Sequence, residues 1–404
     1  MPPMLTTISS YAILYDGIGD TQKQDPMYIS RSIDIRKIAE KKSCFLFGPR
    51  QTGKTSLIRH CFNDCPVYNL LDGPTFLKLS HSPQRLAEEL IPQNKIVVID
   101  EIQKLPTLLD EVHFLIEEKK VNFLLTGSSA RKLRRGGVNL LGGRARSMTL
   151  HPFTFHELGE KFDLLKALNF GLIPSIYFSD SPEEDLESYA SNYLKEEIAA
   201  EGLTRNIPAF SRFLEVAGLC HGRLMNFTEI ANDAQVPRTT VYEYFHILED
   251  TLIAQRLPVW KKTRIRKPAA TDKFYFFDGG VVRFLQHRSP LKGHSPEFGD
   301  AFESYLFHEL RAFVDYTKAG ALHYWRSESG FEVDFILADT AAIEVKAKSV
   351  LNTSDLKGLK ALQEEHNLKH YILVDLEEKA RTVEGIKILP WRRFLDELWS
   401  RKFI

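Results

Sequence analysis

The sequence predicts an α/β protein of several domains, on three observations. Its 404 residues are 43% hydrophobic and 26% charged, the proportions of an ordinary globular chain. A glycine-rich turn joins an apolar strand to a helix near the amino terminus. Acidic residues and a lysine recur at fixed spacing on short strands near the carboxyl terminus. At roughly 150 residues per domain, the length predicts two or three domains, each able to bury a core. Disordered, collagen-like and disulfide-framework classes are excluded. With 53 Lys and Arg against 53 Asp and Glu, the formal net charge is zero, so an anionic partner must be met by local clusters and not by global charge.

The four cysteines, Cys44, Cys61, Cys65 and Cys220, are irregularly spaced and form no C-x-x-C pair. That usage predicts a reduced, cytoplasmic chain. Cys61 and Cys65 share a helical face near His60, but no second ligand pair follows at zinc-like spacing, so structural thiols are expected. No apolar run approaches the roughly 18 residues of a membrane span, and the first residues lack a basic stretch followed by an apolar one. Neither membrane insertion nor secretion is expected.

Cys44-Phe45-Leu46-Phe47 is followed by Gly48-Pro49-Arg50-Gln51-Thr52-Gly53-Lys54-Thr55 and then Ser56-Leu57-Ile58-Arg59, which reads as strand, glycine loop and helix. This is a complete Walker A motif. The glycines let successive backbone N–H groups turn inward around phosphate oxygens, and the helix start adds partial positive charge. Lys54 reaches the terminal phosphates and Thr55 offers a hydroxyl to Mg²⁺. Residues 48 to 56 are therefore the expected ATP cradle.

About forty residues on, Lys95-Ile96-Val97-Val98-Ile99 is continuously apolar after its lysine, as a strand buried on both faces should be, and it ends in Asp100-Glu101. This is a Walker B signature: Asp100 is expected in the Mg²⁺ shell and Glu101 as the group that polarises the attacking water. A third buried strand, 121–125, ends in Thr126-Gly127-Ser128-Ser129. Two roles fit that end: Thr126 or Ser128 senses the γ-phosphate, or the segment caps the next helix. Between Arg131 and Arg146 stand six basic residues and no acidic one. Arg144 or Arg146 could serve as an arginine finger toward a neighbouring subunit; a nucleic-acid backbone or a solvated face also fits.

Residues 150 to 205 turn helical and read as a lid. Asn226 to Val236 is a short capped helix, Val236-Pro237-Arg238 a turn, and Thr239 to Leu248 a second helix with Val241, Phe245 and Leu248 on one face, which is helix-turn-helix arithmetic. A strand at 252–260 then runs into Lys261-Lys262-Thr263-Arg264-Ile265-Arg266-Lys267, a wing. In a winged helix, Arg238, Thr239, Thr240 and Tyr242 would face a major groove while Lys261, Lys262, Arg264, Arg266 and Lys267 grip phosphate. Winged helices also serve protein contacts, and Glu243 weakens the base-reading chemistry of this one.

Near the carboxyl end, an amphipathic helix carries Glu303, and strands follow at 322–326, 332–337 and 342–348. Glu344 and Lys346, two apart, share one face of their strand, and Asp334 meets them across a hairpin. Asp334, Glu344 and Lys346 have the spacing of PD-(D/E)XK nucleases. There the carboxylates hold Mg²⁺ and the lysine activates the attacking water. Glu303 matches the additional acid of many such sites. A strand with a charged solvent face is the plain alternative.

Over residues 28 to 400 the chain resembles prokaryotic ATP-binding proteins that join an AAA-type P-loop ATPase to a carboxyl-terminal domain of unknown function. The likeness rests on GPRQTGKTS, IVVIDEIQKLP, LLTGSSARKL, GGRARSMTLHPFTFHEL, YFFDGGVVRFL and the strands EVDFIL and IEVKAK. It implies an AAA-like core, a winged helix and a restriction-endonuclease-like terminus, with no settled biological role. The sequence departs from AAA practice in lacking a clear asparagine at the third strand's end and a second sensor arginine. The expected layout is an AAA-like P-loop core at 1–160, a helical lid at 161–205, a winged helix at 206–268 and a nuclease-like α/β domain at 269–404. The leading expectation is a Mg²⁺-dependent ATPase, assembled as a homo-oligomer, acting on duplex or branched DNA. The alternative is a nucleotide-dependent signalling switch with a protein partner and a silent terminal domain.

Overall fold

Strands β1 (Cys44–Phe47), β2 (Val67–Asn69), β3 (Ile96–Asp100), β4 (Asn122–Gly127) and β5 (Arg146–Thr149) form a parallel sheet in the order β2-β3-β4-β1-β5. The structure is a computed structural model that describes residues 28–404 apart from 92, 130–132, 134–140, 194–205, 294 and 367. Every residue of β1 and β3 is buried, because both sheet faces are covered. Phe45, Phe47, Val97 and Ile99 point into one core, with α3 (Gly73–His81), α4 (Arg85–Glu89) and α5 (Leu108–Glu118). Cys44, Leu46, Ile96 and Val98 point into the other, with α1 (Ile35–Lys41) and α2 (Lys54–Cys61). The third predicted strand, β4, lies between the first two. Its carboxyl end is thereby wedged between the glycine loop and Asp100.

The middle of the chain is helical: α6 (Phe155–Leu158), α7 (Leu164–Phe170), α8 (Pro174–Tyr177), α9 (Pro182–Ser188), α10 (Ile207–Leu219), α11 (Phe227–Ala234) and α12 (Arg238–Asp250). Asn226 caps α11 by accepting from the N–H groups of Thr228 and Glu229, and Pro237 stands just before the first turn of α12 with an extended ψ of 145°. Strands β6 (Ala254–Leu257) and β7 (Lys273–Phe276) then pair antiparallel, and α13 (Gly279–Leu285) follows. Phe213, Phe245 and Phe274 join these pieces, with α9, in one core. Strand β7 therefore pairs with the middle unit, and the expected boundary at residue 268 falls inside a two-stranded sheet.

The wing expectation is corrected. The strand expected over 252–260 ends at Leu257, and the basic segment after it does not project. Val259 bridges to Tyr324 and Pro268 to Ser327, so the segment lies along β8 (Leu322–Arg326) of the carboxyl-terminal sheet. That sheet is mixed, in the order β12-β13-β11-β10-β9-β8, with β9 (Glu332–Leu337), β10 (Ala341–Val345), β11 (His370–Asp375), β12 (Arg381–Val383) and β13 (Ile386–Pro390). One face packs on α14 (Phe298–Thr317) and α16 (Trp391–Trp399), the other on α15 (Lys357–Gln363). Among the described residues, no helix is long and apolar enough to cross a membrane.

Candidate functional site

Lys54 opens α2 behind Gly53, whose φ of 93° only glycine adopts without strain. Its Nζ is buried and donates to the carbonyls of Gly48 (2.7 Å) and Pro49 (3.1 Å), lying across the mouth of the loop. A side chain at Gly48 would put its Cβ 2.5 Å from the Leu150 carbonyl, so the loop leaves β1 hard against the end of β5. Two residues of the expected lid touch the loop from above: Ser175 Oγ donates to Gln51 Oε1 (2.8 Å) and Tyr189 OH to the Arg50 carbonyl (3.4 Å). Thr52 turns inward, its hydroxyl donating to the Pro49 carbonyl.

Thr55 Oγ1 lies 3.2 Å from Asp100 Oδ2, so the hydroxyl and carboxylate expected to share a cation are adjacent, one in the first turn of α2 and the other at the end of β3. An all-oxygen pair of this kind fits a hard divalent cation such as Mg²⁺. Of the two roles open for the end of β4, Thr126 takes a third: its hydroxyl donates to Asp100 Oδ1. Glu101 adopts φ 64°, a left-handed conformation rare for a residue with a side chain and concentrated at functional sites. Gln103 Nε2 donates to Glu101 Oε2 (2.5 Å) and to Ser128 Oγ (3.3 Å). Gln103 was not singled out by the sequence; the Gly127 backbone it packs against, where a Cβ would sit 2.4 Å from Gln103 Oε1, was the only hint of a close neighbour.

Arg144 and Arg146 stand elsewhere. In the parallel register Cys44 pairs with Arg146 and Phe47 with Thr149, so Arg146 lies at the amino end of the sheet, opposite its own glycine loop. Arg144 is ion-paired to Glu117 at the end of α5. A finger acting on the chain's own nucleotide is thereby excluded for both. The other four basic residues of that cluster, Arg131, Lys132, Arg134 and Arg135, lie outside the described residues.

The carboxyl-terminal set is brought together in part. Asp334 Oδ2 accepts the Val345 N–H (2.8 Å), and Lys346 Nζ donates to Glu344 Oε1 (2.5 Å). Glu344 Oε2 is buried without a hydrogen-bond partner. Burial, reinforced by the Asp334 charge, pushes the Glu344 carboxyl well above the usual carboxylate range, and Lys346 opposes that. Glu303 does not complete a three-carboxylate metal site: its Oε1 is taken by Tyr275 OH (2.6 Å) and faces Lys273 Nζ at 3.6 Å. Among the described residues, no three His, Cys, Asp or Glu side chains converge on a metal position. Lys273 also pairs with Glu332 at 2.7 Å. Its burial favours the neutral amine, but Glu303, Asp334 and Glu332 more than offset this and hold its pKa above the ordinary lysine value. A lone lysine in the apolar run of β7 was the sequence signal for such buried acids.

The residues expected to meet DNA divide in two. Arg238 and Thr239 are exposed on the first turn of α12, Thr240 and Tyr242 are half-buried, and Tyr242 stacks on Phe227 while accepting from Arg238. In the former wing, Lys262 pairs with Asp339, Arg266 with Glu364 and Lys267 with Glu328. Such exposed pairs contribute little. The segment is fixed instead by Glu365, which accepts the N–H groups of Arg264, Ile265 and Arg266, and by Trp260 Nε1 on Asp339. Lys261 is exposed beside it.

Residues 40–159 match the model of an AAA domain. Residues 161–292 and 298–394 match two domains of unknown function, DUF8612 and DUF4143. Two uncharacterized mycobacterial proteins, from Mycobacterium bovis and Mycobacterium tuberculosis, are each 26% identical over 302 residues, or 72% of this chain. The match spans 66% of those relatives' length. A signal transduction ATPase with numerous domains and a tetratricopeptide repeat sensor, from Pyrococcus horikoshii, aligns at 16% identity over 73% of this chain and 48% of its own, with a TM-score of 0.22. The AAA match and the loop geometry together support a P-loop ATPase domain at the amino-terminal end.

Proposed function

We propose that the chain is a Mg²⁺-dependent ATP hydrolase whose nucleotide state sets the arrangement of its two carboxyl-terminal units. The observation that carries this reading is the adjacency of Lys54, Thr55, Asp100 and Glu101 at the carboxyl edge of one parallel sheet. On binding, Lys54 exchanges the Gly48 and Pro49 carbonyls for phosphate oxygens. Thr55 and Asp100 are the residues that would hold Mg²⁺, which neutralises phosphate charge when bound. Thr126 orients the Asp100 carboxylate. Glu101, with one oxygen on Gln103, has its other oxygen for the attacking water. The contacts of Ser175 and Tyr189 on the loop give the middle unit a direct means of sensing occupancy.

The test is phosphate release from ATP with Mg²⁺. Wild type is expected to turn over, Glu101→Gln to bind ATP with turnover reduced at least about 100-fold, and Lys54→Ala to lose both. Turnover undiminished in Glu101→Gln removes the reading.

A second reading, in which the same rearrangement acts on duplex or branched DNA, is favoured by the exposed Arg238 and Thr239 on α12 and by the unpartnered Glu344 oxygen beside Asp334 and Lys346. It requires duplex binding that weakens steeply with salt, and cleavage with Mg²⁺ or Mn²⁺ that disappears in Asp334→Ala. Absence of binding at low salt leaves the protein-partner switch.

A further inference from the structure

Arg31 precedes every motif described above, yet its side chain is only 3% exposed and reaches the underside of the glycine loop. Its Nη1 donates to the Thr52 carbonyl at 2.7 Å, and its Nη2 to the His151 carbonyl at 2.5 Å. Its Nε faces Glu157 Oε2 at 3.1 Å. One guanidinium thus spans the loop and the connection that leaves β5. A planar fork can bridge three acceptors in fixed geometry, which an ammonium cannot.

The connection is gripped from its other side by α14. The His151 N–H donates to Tyr316 OH (3.0 Å), and the His151 ring meets Asp315 Oδ2 at 2.7 Å. The His308 ring meets the Phe153 carbonyl (2.9 Å), and Glu309 accepts the Phe155 N–H (2.7 Å). The His151 peptide is therefore clamped between Arg31 and the last turn of α14. That same helix carries Glu303 twelve residues earlier, about 18 Å away along its axis, where it faces Lys273, the partner of Glu332 on β9.

We infer that Arg31 is a positioning residue for the nucleotide site, fixing the loop at Thr52 and tying its geometry, through His151 and Asp315, to α14 of the carboxyl-terminal unit. This rests on the nucleotide-binding reading above. Arg31 touches no phosphate in this scheme; by holding the Thr52 carbonyl it sets where the Gly53 N–H of the same peptide plane points. Its loss weakens nucleotide affinity and leaves Lys54 and Glu101 in place. Because coupling between sites is reciprocal, a change at Asp315, in a different unit, must also register in nucleotide affinity.

The experiment measures the Kd of a fluorescent ATP analogue, together with KM and kcat for phosphate release, in the full chain. Wild type and Lys54→Ala are the references, and the variants are Arg31→Gln, Arg31→Lys and Asp315→Asn, with folding checked by circular dichroism. Arg31→Gln is expected to raise Kd and KM about tenfold with kcat within about twofold, as loss of charge-assisted hydrogen bonds would do. Arg31→Lys is expected to recover part of the loss, and Asp315→Asn to raise Kd about threefold. A purely structural role would lower the melting temperature and leave KM alone in the folded protein. Unchanged Kd in folded Arg31→Gln overturns the inference; should that variant not fold, unchanged Kd in both Arg31→Lys and Asp315→Asn overturns it. Failure of wild type to bind nucleotide is a different result and removes the underlying reading instead.

Discussion

Glu309 sits inside α14 with no exposure, accepting the Phe155 N–H, and burial pushes its carboxyl from about 4.5 up to about 8. Between those values the folded chain keeps a proton that the unfolded chain has released, so stability falls as pH rises through that window. Glu309→Gln keeps an acceptor for Phe155 and cannot ionise. The variant is expected to melt higher than wild type at pH 8 and alike near pH 4.5, which thermal unfolding across a pH series checks. His221 and His308 act in the opposite sense. Burial lowers both to about 3, so the folded chain resists protons that the unfolded chain accepts below about pH 6.5, and stability falls with acid there. Motif residues such as Lys54 and Asp100 were legible in the sequence because their chemistry demands fixed local spacing. Arg31, Gln103 and the His151–Asp315 pair were not, since each acts across 2 to 164 positions with no periodicity to betray it.

At the scale of elements, α13 packs against the end of α7 so closely that a Cβ on Gly280 would lie 2.3 Å from the Phe170 carbonyl. Asp278 fastens the same junction, capping α13 through Gly280 and Val281 and accepting the Leu172 N–H (2.7 Å). Gly280→Ala is expected to cost about 1–3 kcal/mol, read as a lower denaturant midpoint with unchanged slope; an unaltered midpoint would mean that the helices part without penalty. The buried strands β1, β3 and β4 were legible as continuous apolar runs, and α11 and α12 from their cap, turn and period. The wing was misjudged because a basic stretch after a strand looks the same whether it meets solvent or the chain's own carboxylates. Asp339, Glu364 and Glu365 stand at least 72 positions away from it, beyond the reach of local pattern.

For the whole molecule, the five-stranded order sets Arg146 at the amino end of the sheet and the nucleotide crevice at the carboxyl end. Any contribution of Arg146 to hydrolysis must therefore come from a second copy. Were Arg146 a finger across such an interface, mixing Arg146→Ala with Glu101→Gln, each then slow alone, would restore up to about a quarter of wild-type turnover where an intact Glu101 faces an intact Arg146. No recovery, with Arg146→Ala as active as wild type, assigns Arg146 to a solvated face. Helix α14 joins the two halves of the chain, meeting His151 of the connection after β5 through Asp315 and, through Glu303, Lys273 of β7, which in turn pairs with Glu332 of β9.

The most direct measurement of the central claim is calorimetric titration of the full chain with ATP and Mg²⁺. Saturable binding with one site per chain, abolished in Lys54→Ala and retained in Glu101→Gln, is the predicted result. Absence of binding in wild type, or equal binding in Lys54→Ala, would contradict it.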